Sequence, residues 1–247
     1  GMKLTYRFAD AVWFKEPYMQ SLLHRHGARR TFFIPNTVGQ FATKRQGALS
    51  STYEILKEQS RNLKVEERSI DFLWANRLIE QRRPSWLIPM SFEIARQGYQ
   101  LTIMGFRDED QISSKQYWFE AMIRTLLARE TQQIAWGDPR DQFRQSRYFL
   151  LFGERIFGNH ALLEAMSQGV VPLVTQSESV EAVVQDGYNG FVSELSLTSV
   201  LQTIRRAMSV DDSEWIRLSQ NAVATVANRF GYEQWRESLL NMYAQFD

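Results

Sequence analysis

The sequence predicts an α/β protein built on a doubly wound, Rossmann-like parallel sheet, and three observations carry that prediction. Short continuous apolar runs such as Val170-Val171-Pro172-Leu173-Val174 recur along the chain, and such runs mark strands covered on both faces. They alternate with stretches whose apolar residues fall at helical spacing, of which Leu162, Leu163, Ala165 and Met166 are the clearest. Glycines punctuate the alternation, and strand–helix alternation of this kind is the mark of βαβ units.

Taken in order, residues 2–23 show a loose amphipathic pattern through Ala9, Val12, Trp13, Phe14, Tyr18, Leu22 and Leu23. An apolar run then ends at Pro35-Asn36. Residues 42–69 are polar and charged, with helical spacing around Tyr53, Ile55, Leu56 and Leu63, and read as a surface helix and linker. Ile70–Leu78 is the first buried strand. Pro84 suits a helix start, and that helix runs to about Gln97, where Gly98 caps it. Gln100–Met104 forms the next strand, ending at Gly105. An amphipathic helix over Tyr117–Arg129, a strand over Gln133–Trp136, a short helix over Asp141–Gln145 and a strand over Tyr148–Phe152 follow. The Leu162–Met166 helix ends at Gly169, placed for a left-handed cap because glycine alone enters that region cheaply. Beyond Val192, helices are expected at about 197–208, 212–228 and 232–245. The domain division is 1–69, a crossing segment and linker, and 70–247, the Rossmann-like body with its C-terminal helices.

Composition narrows the function classes. The chain has 247 residues, 44% hydrophobic and 23% charged, ordinary proportions for a globular domain. A net charge of +1 gives no reason to expect nucleic acid as a partner. The absence of cysteine removes disulfides, thiol catalysis and Cys-based metal sites. His24, His26 and His160 are too scattered for a metal centre, so none is expected. No apolar run approaches the roughly 18 residues that span a bilayer. The expected location is cytoplasmic.

The residues best placed for chemistry cluster between Phe152 and Val192. Gly158-Asn159 lies where a loop enters a helix, and free N–H groups at a helix start suit a phosphate. Glu164, inside that helix, can accept hydrogen bonds from sugar or ribose hydroxyls. In a doubly wound sheet, ligands bind beyond the carboxyl ends of the strands. The loop after the first strand brings Arg77, Glu80, Gln81, Arg82 and Arg83 there. Gly105 and Trp136 follow on the next two. No Gly-x-Gly-x-x-Gly follows the first strand, which argues against a dinucleotide-dependent dehydrogenase.

The run FGNHALLEAMSQGVVPLVT, followed by Glu181 and by Asp186-Gly-Tyr-Asn-Gly-Phe-Val192, resembles the C-terminal half of group 1 glycosyltransferases of the GT-B fold. The resemblance covers about residues 9–245, with Ala9-Asp10-Ala11-Val12 and Ile34-Pro35-Asn36 matching the crossing between the two halves. It implies a nucleotide-diphosphate sugar donor, no separate cofactor, and transfer with retention to a glycan or lipid-linked acceptor during polysaccharide or glycoconjugate synthesis. It also implies an N-terminal acceptor domain on a longer or partner chain, and leaves peripheral membrane association open. Arg77 and Arg82 would grip the diphosphate, with Asn76 and Arg83 standing where the family has glycine. Gly105 would approach the ligand, Trp136 would stack on the base, and Glu164 would hold the ribose. The motif's first glutamate falls on Ile156, so Glu154 is the nearest candidate for a catalytic or sugar-binding acid. An extra residue separates Gly158 from Glu164, and His160 can then face the donor. Ser177-Glu178-Ser179 replaces a Gly-Gly pair beside the phosphates and sugar. Two other readings stand beside this one: a degenerate, non-catalytic binding or interaction domain, and a nucleotide-sugar 2-epimerase.

Overall fold

The computed structural model describes residues 9, 11–15, 17, 19–38, 64–108, 110, 112–156 and 159–246. The expected helix around Tyr53–Leu63 lies outside them, as does Gly158. Eight strands and eight α-helices are present among the described residues. The strands are β1 (Val12–Phe14), β2 (Thr31–Phe33), β3 (Ile70–Ala75), β4 (Leu101–Phe106), β5 (Gln132–Ala135), β6 (Ser146–Leu151), β7 (Val171–Thr175) and β8 (Phe191–Ser193). The helices are α1 (Met19–Arg25), α2 (Leu87–Arg96), α3 (Ser114–Leu126), α4 (Arg140–Gln145), α5 (His160–Ser167), α6 (Leu197–Met208), α7 (Asp212–Arg229) and α8 (Tyr232–Tyr243).

β3 to β8 form one parallel sheet in the order β5-β4-β3-β6-β7-β8. The chain walks outward from β3 to β5, then returns to the other side of β3 and walks outward again through β8. The direction therefore reverses between β3 and β6, and crevices at such a reversal are where doubly wound folds bind ligands.

Strand side chains alternate between two faces, and two separate cores result. Phe72 and Trp74 of β3 and Tyr148 and Leu150 of β6 pack with α2, α3 and α6. Leu73 and Ala75 of β3 and Phe149 and Leu151 of β6 pack with α4, α5 and α7. The rings of Phe72 and Tyr148, opposite one another in the register, stack at 5.1 Å. Full burial of both faces is why the strands read as continuous apolar runs.

Several element boundaries shift by one to three residues from the sequence expectation, and two of the shifts bear on the site. The first strand stops at Ala75, because Leu78, three residues on, turns back into the core and is fully buried. β4 instead continues through Gly105 to Phe106. Gly105 is thus a strand residue: a Cβ there would clash with the Asn76 carbonyl oxygen, and glycine allows the close approach.

At the amino end of the sheet, Arg68 gathers three carbonyls. It donates to Phe143 O at 2.9 Å, Ser146 O at 3.1 Å and Gln168 O at 2.7 Å, so one cation closes the C-terminal ends of α4 and α5. A smaller unit precedes the sheet: β1 and β2 pair in parallel, with α1 crossing between them, around Phe14, Leu23 and Ala28. Sequence patterning showed the apolar residues here without the pairing. The tail after α8 returns to this unit. Arg30 Nη1 donates to Gln245 O at 3.3 Å, and the Phe32 and Phe246 rings meet at 6.3 Å.

Candidate functional site

Two loops meet at the sheet reversal. The loop after β3 starts with Asn76, 7% exposed, passes exposed Arg77, and forms a 3-10 turn over Glu80–Arg82. It is held from α3, where Gln116 Nε2 donates to Leu78 O at 2.7 Å and to Glu120 at 3.1 Å. Glu120 is 2% exposed and accepts from Arg107 Nη2 at 2.6 Å and Arg107 N at 3.0 Å. The buried carboxylate thus ties the loops after β3 and β4 to one helix.

The loop after β6 is fixed just as firmly. Thr175 Oγ1, at the end of β7, donates to Gly153 O at 2.8 Å and accepts from Gly153 N at 2.9 Å. The two loops then touch directly. A Cβ on Gly153 would lie 2.4 Å from Gln81 O, so only glycine lets them close. Arg82 Nη1 donates to Arg155 O at 2.8 Å, and Arg83 pairs with Glu154. The α5 helix starts at the mouth of the same loop, capped by Asn159 Oδ1, which accepts from Leu162 N at 3.0 Å.

Between these loops lies a cleft of about 470 Å³ lined by Ala75, Asn76, Arg77, Ile79, Arg82, Trp136, Arg155, Asn159, His160 and Ala161. Among the described residues, its lining contains three arginines and no carboxylate. Burial and then the nearby Arg77 charge lower the Arg82 pKa, so the unliganded cleft holds two cations that repel each other. Burial and then Lys15, just past β1, lower the His160 pKa, which favours the neutral imidazole. The Asn76 amide Nδ2 is buried and has no hydrogen-bond partner. An unpaired buried donor costs about 1–3 kcal/mol, and a ligand oxygen removes that cost.

Of the residues expected from sequence, the cleft brings together Arg77, Arg82, Trp136 and Asn159, with His160 beside them. Trp136 is 46% exposed, one residue beyond β5. Glu164 lies one compartment away, against the stretch Asp138–Arg140 that follows Trp136. Burial and then Asp138 raise its pKa, while Arg140 opposes them. Glu154 is not among the lining residues: it is exposed and paired with Arg83. Ile156, the position that breaks the expected acidic spacing, is fully buried in the core. Gly105 is buried in β4, outside the lining. Ser177 and Glu178 follow β7 and also lie outside it; the Ser177 hydroxyl is buried without a partner, and Glu178 is exposed.

Among the described residues, two non-glycine residues have positive φ, Arg83 at +52° and Ser179 at +64°. Arg83 stands where the resembled pattern has glycine, and Ser179 lies in the Ser177-Glu178-Ser179 stretch that replaces its Gly-Gly pair. The left-handed turns are kept although each side chain costs about 1–2 kcal/mol there. Arg155 and the Asn76 amide were missed by sequence reasoning. The signal for Arg155 was local: it directly precedes buried Ile156, on the loop already marked for ligand binding.

Among the described residues, no group of three or more acidic or histidine side chains is placed to hold a metal, and no helix is long and apolar enough to cross a membrane. No family model matches the chain. A sucrose synthase from Acidithiobacillus caldus is 25% identical over 143 residues, which is 55% of this chain and 17% of that protein. A sucrose-phosphate synthase from Thermosynechococcus elongatus superposes with a TM-score of 0.74 at 16% identity, over 99% of this chain and 60% of the other. The Anabaena protein HepE in complex with UDP-glucose superposes at 0.72 and 16% identity, over 99% and 66%. The chain thus carries the doubly wound fold of the GT-B glycosyltransferases to which these solved structures belong.

Proposed function

We propose that this domain binds a nucleoside diphosphate sugar and, within a GT-B glycosyltransferase, supplies the donor half of a retaining transfer to a glycan or lipid-linked acceptor. The observation that carries the reading is the arginine-lined cleft at the sheet reversal, which has no acid among its described lining residues and opens onto a helix start. Arg77 and Arg82 hold the diphosphate, and the N–H groups at the start of α5 add to them. Asn76 Nδ2 gives its free hydrogen bond to a phosphate or sugar oxygen. Trp136 stacks on the base, and Glu164 accepts from the ribose hydroxyls. HepE, solved with UDP-glucose, supports a nucleotide sugar as the ligand class.

Chemically, the arginines stabilise negative charge as the nucleoside diphosphate leaves, with no cofactor or metal needed in this reading. Preorganised charge of this kind is often the largest single catalytic term. The acceptor comes from a second domain, on this or another chain, because positioning can supply roughly 7–11 kcal/mol of a barrier and one half cannot orient both reactants. Titration calorimetry with UDP, GDP and ADP tests the donor site. We expect one of them to bind, and silence from all three at millimolar concentration rejects it. Efficient glycosylation by the 247-residue chain alone would reject the need for a second half.

One alternative has a specific observation behind it. With Ile156 buried and Glu154 held by Arg83, the described cleft lining offers no carboxylate. A domain that binds the nucleotide sugar without transferring it fits that arrangement. Binding without turnover, in a complex containing a competent acceptor half, would favour it.

A further inference from the structure

The charge of the cleft exceeds what a neutral sugar donor brings. Arg77, Arg82 and Arg155 bring three arginines to its lining, where no carboxylate among the described residues balances them. Glu154, adjacent to Arg155 in sequence, is engaged with Arg83 instead. A bridging diphosphate carries about one negative charge per phosphate, which matches Arg77 and Arg82 and leaves Arg155 over.

Position separates Arg155 from the other two. It stands on the loop after β6, five residues before α5 begins. Its main chain is fixed, since its carbonyl accepts from Arg82. Its guanidinium has no ion-pair or hydrogen-bond partner among the described residues. A planar guanidinium matches a carboxylate through two parallel hydrogen bonds, a geometry that sugar hydroxyls do not reproduce.

We propose that the donor sugar carries a carboxylate, making the substrate a nucleoside diphosphate uronic acid, and that Arg155 is the residue that recognises it. The inference rests on the donor-site reading above and deepens it. Arg155 selects the sugar, while Arg77 and Arg82 hold the part of the ligand that every donor shares.

The test is a calorimetric comparison of UDP, UDP-glucose and UDP-glucuronate on the 247-residue chain. GDP, GDP-mannose and GDP-mannuronate take their place if GDP is the nucleotide that binds. The uronate should bind about tenfold or more tighter than the neutral sugar. R155Q should erase that preference while affinity for the nucleoside diphosphate alone stays within about twofold, and R155K should restore only part of it. The Arg155 side chain is exposed, so a thermal melt that matches wild type checks that the variant is folded. Equal affinity of wild type for the neutral and acidic sugars overturns the proposal. So does an R155Q variant that loses all three ligands to the same extent, which would assign Arg155 to the diphosphate. Failure of every nucleotide to bind would remove the donor site itself, a result distinct from binding without discrimination.

Discussion

The two ends of β3 carry arginines nine positions apart that are treated in opposite ways. At the amino end, Arg68 is enclosed and donates to three main-chain carbonyls. Burial lowers its pKa to about 10, still leaving it charged at neutral pH. At the carboxyl end, Arg77 is exposed and Arg82 is crowded against it, with no acid in the lining between them. One end spends a cation to close two helix termini. The other keeps cations open, and that arrangement is unfavourable until an anion arrives. Stability and binding are thereby divided between the two edges of one sheet, a separation that lets a site be strained without loosening the body that holds it.

The most severe way to break this comparison is at the closed end. Arg68→Met keeps the aliphatic stem but leaves three carbonyls without their donor. It should lower unfolding stability by about 3 kcal/mol, seen as a reduced urea midpoint with little change in nucleotide affinity. Arg77→Ala should do the reverse. Affinity for a nucleoside diphosphate should fall by about 1.5–3 kcal/mol in calorimetry, while the ligand-free melting temperature holds or rises as repulsion on Arg82 is relieved. A stability loss at Arg77 equal to that at Arg68 would dissolve the distinction.

A smaller effect lies at Glu164. Burial raises its pKa above the ordinary 4.5, so the folded state favours the protonated form. Stability from this group is present below that ordinary value and is lost as pH rises through the folded-state pKa. Glu164→Gln should therefore match wild type in acid and become the more stable of the two towards neutrality, measured by melts from about pH 4 to 7. Its nucleoside diphosphate affinity should nonetheless drop, with binding of inorganic pyrophosphate unchanged, because only the ribose contact is lost. A flat stability difference across that range would mean that the carboxylate is well solvated. The smallest effect belongs to Ser179→Gly, which relaxes a left-handed turn at φ +64° and should stabilise by up to about 1 kcal/mol.

Much of the sheet was readable because burial on both faces leaves a plain signal. The runs at Ile70, Tyr148 and Val170 stand out, and their alternation with helices dictates the doubly wound topology. The loss of glycine at Arg83 and across Ser177-Glu178-Ser179 was readable, but not that Arg83 and Ser179 keep left-handed turns. What stayed hidden depends on contacts between segments distant in sequence. Gly105 resembled a loop residue, since nothing local shows that the Asn76 carbonyl presses against it. Glu154 was the nearest acid to a motif position, and its pairing with Arg83 is a matter of how two loops cross. Arg155 was passed over for the same reason: adjacent exposed residues look alike until one is seen to line a cleft. The pairing of β1 with β2 escaped because each is three residues long, too short for period-2 alternation to register.

The return of the α8 tail to the N-terminal unit bears on the order in which the chain assembles. Residues 30 and 245 meet across 215 positions of sequence, and Thr37 and Val38 meet Phe230 across nearly as many. Neighbouring βαβ crossovers of the main sheet close far shorter segments. Because closure entropy grows with the length enclosed, the crossovers around β3, β4, β6 and β7 should form early and the seam between the two ends last. Opening should retrace that order, with amide exchange in β1 and β2 faster than in β3 and β6. The side of the molecule that brings Lys15 toward His160 is then the side that loosens first, so the cleft can change its electrostatic surroundings without disturbing either of its arginine loops.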